Sequence, residues 1–135
     1  MTDPKPTRWG ILATGGIAKS FALDLLVDPS TRGPTGQRHT IVAAASSSGK
    51  SRAQAFLKDV GAEPDAKPYG SYEELANDAN VDIVYVASPH SHHFKNIMLC
   101  LNAGRNVLSE KAFVVNARQC KVLIETAREK VCVLK

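Results

Sequence analysis

Near the amino end, the stretch GILATGGIAKS (Gly10 to Ser20) runs an apolar segment into small residues and then takes on helical spacing. That order suits a turn that holds phosphate against main-chain amides. On the GxGxxG spacing the glycine places fall at Ala13, Gly15 and Ala18. The second place lets the backbone approach a pyrophosphate, so Gly15, with Gly16 and Ile17 beside it, is expected to carry the contact at the mouth of a helix. Ala13 puts a Cβ into the tight turn, and Gly16 is expected to take up some of the positive-φ demand. A glycine pair between strand and helix is also an ordinary turn, so the reading depends on a surrounding βαβ unit.

A second candidate group follows at SSSGKSR, Ser46 to Arg52. NAD-preferring sites place an acid here for the ribose hydroxyls, and this stretch has none. Ser47 and Ser48, with Lys50 and Arg52, suit a 2′-phosphate instead, which makes NADP the expected cofactor over NAD. The alternative is a serine-rich helix cap with Arg52 in solvent. In SPHSHHF, Ser88 to Phe94, three histidines invite a zinc site, but no carboxylate or thiol lies at ligand spacing, so no metal is expected. The pair Glu110 and Lys111, taken alone, reads as a surface ion pair.

The elements that must position these residues alternate regularly. Arg8 to Thr14 reads as a buried strand, and Ile17, Phe21 and Leu25, backed by Ala18, Ala22 and Leu26, form a helix stripe. Asp28 to His39 is dense in Pro and Gly and is expected to be a loop. TIVAAAS from Thr40 is a second strand, and Ala53, Phe56, Leu57 and Val60 mark a helix closed by Gly61. A short strand at Lys67 to Tyr69 precedes a helix with Ser71 and Glu74 in capping-box spacing. Asp82 to Ala87 is a fourth strand, followed by a helix on Phe94, Ile97, Met98 and Leu101 that stops at Gly104. Asn106 to Ser109 is a fifth strand. Asn116 caps a last helix on Cys120, Leu123, Ile124 and Ala127, and Val131 to Leu134 begins a sixth strand. Such alternation implies an α/β fold, a Rossmann-type doubly wound parallel sheet in a single domain over residues 8–135, after a short leader at 1–7.

A length of 135 residues suits one domain with a real core. With 44% hydrophobic and 22% charged residues and no apolar run of the roughly 18 residues a bilayer needs, no membrane span is expected. MTDPKPTRW lacks the pattern of a targeting peptide, so a cytoplasmic location is expected. The net charge of +4 is scattered without interleaved aromatics, which argues against nucleic acid and suits a phosphorylated small molecule. Cys100, Cys120 and Cys132 lack CxxC spacing and read as reduced core thiols.

Taken together, RWGILATGGIA, SYEELA, MLCLNAGRNVL and SEKAFVVNARQ resemble the N-terminal domain of the glucose-fructose oxidoreductase and inositol dehydrogenase family (Gfo/Idh/MocA) over essentially the whole chain. Within it the similarity is greatest to the dimeric dihydrodiol dehydrogenases and fungal NADP-dependent D-xylose 1-dehydrogenases. The resemblance implies that Lys111, at the lysine of the family's EKP tripeptide, is catalytic or orients substrate, with Glu110 positioning it. Ala112 replaces the proline, removing a fixed turn. SPHSHHF resembles the family's TPNxxH segment, which implies that Ser88, Pro89 and His90 lie under the cofactor and that His93, on the first turn of the next helix, binds the cofactor with them.

The resemblance implies that a substrate domain, which supplies the sugar pocket and a dimer surface, would normally follow, and the chain is expected to be a cofactor domain cut off from it. Two expectations follow. One is an NADP-dependent dehydrogenase of a sugar or diol, taking D-xylose to its lactone and homodimeric if the missing domain is present. The other is a non-catalytic NAD(P)-binding module.

Overall fold

The computed structural model describes residues 5–28, 31 and 37–135. The expected leader therefore lies partly, and the expected loop from Asp28 to His39 mostly, outside the described residues. Five strands and five helices alternate: β1 (Thr7–Leu12), α1 (Gly16–Leu25), β2 (His39–Ala45), α2 (Lys50–Asp59), β3 (Lys67–Tyr69), α3 (Tyr72–Ala76), β4 (Ile83–Val86), α4 (His93–Asn102), β5 (Asn106–Ser109) and α5 (Ala117–Glu129). A short 3-10 turn at His90–His92 leads into α4. Thr7 already pairs in β1, so the expected leader is one residue too long at its end.

All the strands are parallel, in the order β3-β2-β1-β4-β5. The winding reverses between β1 and β4, which is where such sheets hold ligands, beyond the carboxyl ends of the strands. The expected sixth strand is reduced to a single parallel bridge between Val107 and Leu134, reinforced by hydrogen bonds from Val107 N–H to Val133 O and from Ser109 N–H to Lys135 O.

Successive strand residues face opposite sides, and both sides are covered. On one, Trp9, Ile11, Ile41, Ala44 and Tyr85 pack against α1 and α2; on the other, Leu12, Val84, Val86 and Val107 meet Leu75, Ile97, Leu101 and Leu123 of α3, α4 and α5. Each fully buried Ile or Leu contributes roughly 2 kcal/mol by leaving water. Helix α1 buries Ala18 and Ala22, small residues that bring its axis close to the sheet, while Ile17 is 52% exposed. The expected stripe through Ile17 is thus not the core face. On α5 likewise Leu123 and Ala127 are buried, whereas Ile124 is largely exposed and Cys120 only half-buried. Of the three thiols, Cys100 alone is buried.

Gly10 is required by packing. A Cβ there would come within 3.0 Å of Leu75 Cδ1 and 3.1 Å of Val81 Cγ1, so α3 can sit over β1 only because that side chain is missing. At the end of the sheet away from the switch point, Arg8 Nη2 donates to Asp82 Oδ1 at 2.8 Å, and Arg8 N–H donates to Oδ2 at 2.9 Å. This pairing holds the Asp82 carboxyl below its ordinary range. Ser71 Oγ accepts from Glu74 N–H at 3.2 Å, as the capping-box spacing predicts. No helix among the described residues is long and apolar enough to cross a membrane.

Candidate functional site

A cavity of about 590 Å³ opens over the carboxyl ends of β1, β2, β4 and β5. Each segment that leaves one of these strands contributes to its wall.

At the β1 end, Ala13, Thr14, Gly15 and Ile17 line the cavity. Gly15 is the N-cap of α1, no side chain caps the helix, and no acid lies in its first turn. The first-turn amides therefore present partial positive charge with nothing of this chain to neutralise it. Gly15 has φ −79°, which any residue can adopt, and a Cβ built on it would meet nothing within 4 Å. Folding does not require glycine there; open space for an anion against the backbone does. The positive-φ demand falls on Ala13, at φ 81°, and on neither Gly15 nor Gly16. This corrects the expectation that Gly16 relieves the turn: helix residues keep negative φ, so the reversal is made by the residue leaving the strand.

At the β2 end stand Ser47, Ser48 and Arg52. Gly49, the N-cap of α2, adopts φ 119° and ψ 165°, a conformation open essentially only to glycine. The loop is further fixed by Ser46 Oγ, which accepts from Ser48 N–H at 3.1 Å. Helix α2 also has no side-chain cap and no first-turn acid. The N-terminus of α1 and the Arg52 side chain thus share one space, with the loop that precedes α2 along its wall. Lys50 does not line it, and Gly16 lines a neighbouring hollow of about 370 Å³ with Lys19, Arg52 and Asp59.

At the β4 and β5 ends, Ser88, Pro89, His90, Glu110 and Lys111 close the cavity. Tyr85 O–H donates to Glu110 Oε2 from within the sheet, and Lys111 N–H donates to Glu110 Oε1 at 3.2 Å. Burial, and then the Glu110 hydrogen bond and charge, push the Tyr85 phenol well above the ordinary tyrosine range, so it stays a donor. Phe21 stacks on its ring at 3.8 Å. Lys111 is exposed at the cavity mouth, and its side chain makes no ion pair among the described residues. The Lys111–Ala112 peptide is cis.

His93 is placed differently from expectation. It opens α4 but is fully buried and does not line the cavity; Nε2 lies 2.7 Å from Ser88 O and Nδ1 lies 2.7 Å from Ala112 O. Asn96, buried beside it, donates to Ser88 Oγ at 2.8 Å. Among the described residues no three His, Cys, Asp or Glu side chains come together as a metal site.

Sequence reasoning missed Thr14, Ser46 and Tyr72 in the wall and Tyr85, Asn96 and Gly49 behind it. Only Gly49 had a usable signal, a lone glycine between a serine run and a helix.

The arrangement can bind a molecule with two separated phosphate-bearing parts and bring its far end to Lys111. A dinucleotide fits: the Gly15 cradle suits its pyrophosphate, and Ser47, Ser48 and Arg52 suit a phosphorylated ribose.

Comparison with known proteins points the same way. A family model described as an oxidoreductase family with an NAD-binding Rossmann fold (GFO_IDH_MocA) matches residues 7–135. D-xylose 1-dehydrogenase (NADP(+)) of Hypocrea jecorina is 59% identical over 128 residues, 95% of this chain and 33% of that protein. Trans-1,2-dihydrobenzene-1,2-diol dehydrogenase of Mus musculus is 40% identical over 90% of this chain and 33% of its own length. Among solved structures, KijD10, a 3-ketoreductase from Actinomadura kijaniata in complex with TDP-benzene and NADP, superposes with a TM-score of 0.78 at 30% identity, covering 96% of this chain and 37% of its own. The chain spans about a third of the length of the curated relatives it matches.

Proposed function

The chain belongs to the Gfo/Idh/MocA oxidoreductase family, and from that membership we propose that it is the NADP-binding part of a dehydrogenase that oxidises a sugar or dihydrodiol hydroxyl, with D-xylose to its lactone as the first candidate. The observation that carries this reading is the single cavity joining the open N-terminus of α1 and the Ser47, Ser48 and Arg52 wall to Glu110 and Lys111. The substrate rests on the names of the relatives, above all the D-xylose 1-dehydrogenase at 59% identity.

NADP+ supplies the hydride acceptor when bound. The chain's own part is positioning and proton handling. Gly15 and the first turn of α1 hold the pyrophosphate, and Ser47, Ser48 and Arg52 hold the 2′-phosphate through charge-assisted hydrogen bonds. Ser88, Pro89 and His90 form the floor under the reacting ring. Lys111 holds the substrate hydroxyl and takes part in moving its proton, while Glu110, anchored by Tyr85, sets the turn from which Lys111 reaches in.

Calorimetry of the 135-residue chain with NADPH and NADH tests the binding half. NADPH should bind about tenfold more tightly, the worth of one added charge-assisted contact; a preference for NADH would overturn it. D-xylose-dependent reduction of NADP separates a dehydrogenase from a module that binds the nucleotide without turnover.

A further inference from the structure

Ala112, the residue after Lys111, has both of its backbone polar groups held by imidazoles. Its N–H donates to His90 Nε2 at 3.1 Å, and its carbonyl oxygen lies 2.7 Å from His93 Nδ1. The two rings meet edge to face at 5.5 Å. Both His93 contacts are to carbonyl oxygens, which only accept, so holding Ala112 O and Ser88 O together requires a proton on each His93 nitrogen; the Ala112 N–H only donates, so His90 Nε2 must be bare. The two histidines thus hold the two peptide groups that flank the Ala112 Cα, one as acceptor and the other as donor. His93 Nε2 reaches Ser88 O at 2.7 Å, which ties the turn after β4 to the turn after β5 through a fully buried ring.

We propose that His90 and His93 are positioning residues for Lys111, a two-sided clamp on the backbone at Ala112: His93 acts through this backbone alone, and His90 does so besides lining the cavity floor. The inference rests on the reading of Lys111 as the reacting group. His93 cannot reach the cavity, and His90, although it lines the wall, spends Nε2 on the Ala112 amide. Sequence spacing alone does not show this, because His90 and His93 both fall in a segment expected to underlie the cofactor. The i, i+3 offset puts one ring at the surface and the other inside.

The test uses the 135-residue chain without nucleotide. Lys111 is acylated with N-hydroxysuccinimidyl acetate and its rate read by mass spectrometry against Lys121, exposed on α5, as internal reference. Loss of one hydrogen bond releases a segment by about fivefold in population, so His90→Ala should change the Lys111 rate relative to Lys121 by about that factor. His90→Gln, whose amide oxygen can accept from Ala112 N–H, should restore it. An unchanged Lys111 rate in His90→Ala overturns the clamp, as does an altered rate that His90→Gln fails to restore. Because a buried His93 variant can fail to fold, its half is read on the unaltered chain by long-range nitrogen-15 NMR. A proton on His93 Nδ1 and a bare His90 Nε2 support the clamp; a bare His93 Nδ1 overturns it. If the chain binds no NADPH while these results hold, the dehydrogenase reading fails and the clamp stands.

Discussion

The Tyr85 phenol donates to Glu110 Oε2, so the carboxylate that precedes Lys111 is anchored from inside the sheet and not from the surface. Tyr85 is 2% exposed, and its ring is sandwiched in the cluster that contains Phe21 and Trp9. Tyr85→Phe keeps that packing and removes the donor alone. It should lower unfolding free energy by about 1–2 kcal/mol, as expected for a hydrogen bond to a charged group. Urea denaturation of the two chains measures this, and equal midpoints would show that the bond contributes nothing.

Burial also sets the response to alkali. Desolvation pushes the Tyr69 phenol up to about 12, helped by its hydrogen bond to Asp78, and pushes the Cys100 thiol up to about 12. In the unfolded chain a thiol loses its proton near ~8.5 and a phenol near ~10. The folded protein keeps both protons longer, so their stabilisation is complete below ~8.5 and is lost as pH rises towards 12. Urea midpoints measured from neutral to alkaline pH should fall in two stages. Cys100→Ala should remove the earlier one, and Tyr69→Phe should shrink the later, to which the Tyr85 phenol also contributes.

The two small residues of the first turn should respond in opposite ways to substitution. Ala13 bears φ 81°, which costs an L-residue roughly 1–2 kcal/mol, and glycine gives back about 0.4–1 kcal/mol of that in chain entropy. Ala13→Gly is expected to stabilise by about 0.5 kcal/mol, the remainder of those two terms. Gly15→Ala, by contrast, adds a Cβ that meets no atom of the chain. Its melting transition should be nearly unchanged while NADPH affinity drops at least about tenfold, because the methyl group occupies the pyrophosphate's approach. Thermal melts and calorimetry on both variants separate the two effects.

Arg52 tests cofactor choice. If Arg52, which lines the cavity, pairs with the 2′-phosphate as proposed, Arg52→Ala should weaken NADPH binding about tenfold and leave NADH, which carries no such phosphate, within about twofold. Equal losses for both nucleotides would mean that Arg52 serves the shared pyrophosphate, which its position beside the hollow at Gly16 and Lys19 also permits.

The parallel sheet was legible because buried strands read as continuous apolar runs, and the glycines and capping residues between them mark where each helix starts and stops. Every strand from Arg8 onward was found within a residue or two, apart from the sixth, which is a single bridge to β5. Gly15, the serines at 47 and 48, Arg52, Glu110 and Lys111 all reached one cavity from separate segments. What stayed hidden depended on direction, not on residue type. Ile17 was expected both on the core stripe of α1 and beside Gly15 at the site, and only its direction, toward the cavity, decides between the two. Tyr85 reads as core in DIVYVA, and nothing in that run announces a carboxylate partner 25 positions later. His93 is the same residue type as His90 and lies three places on, and only the docking of α4 against β4 and β5 decides which ring goes inside.

The Ser46–Arg52 loop follows a path at Gly49, φ 119°, that a side chain would oppose. On the proposed reading, coenzyme preference is therefore open to redesign by swapping the groups at 47, 48 and 52 like interchangeable fittings, with Gly49 kept. Lengthening or shortening the loop would instead move the mounting on which all three are carried.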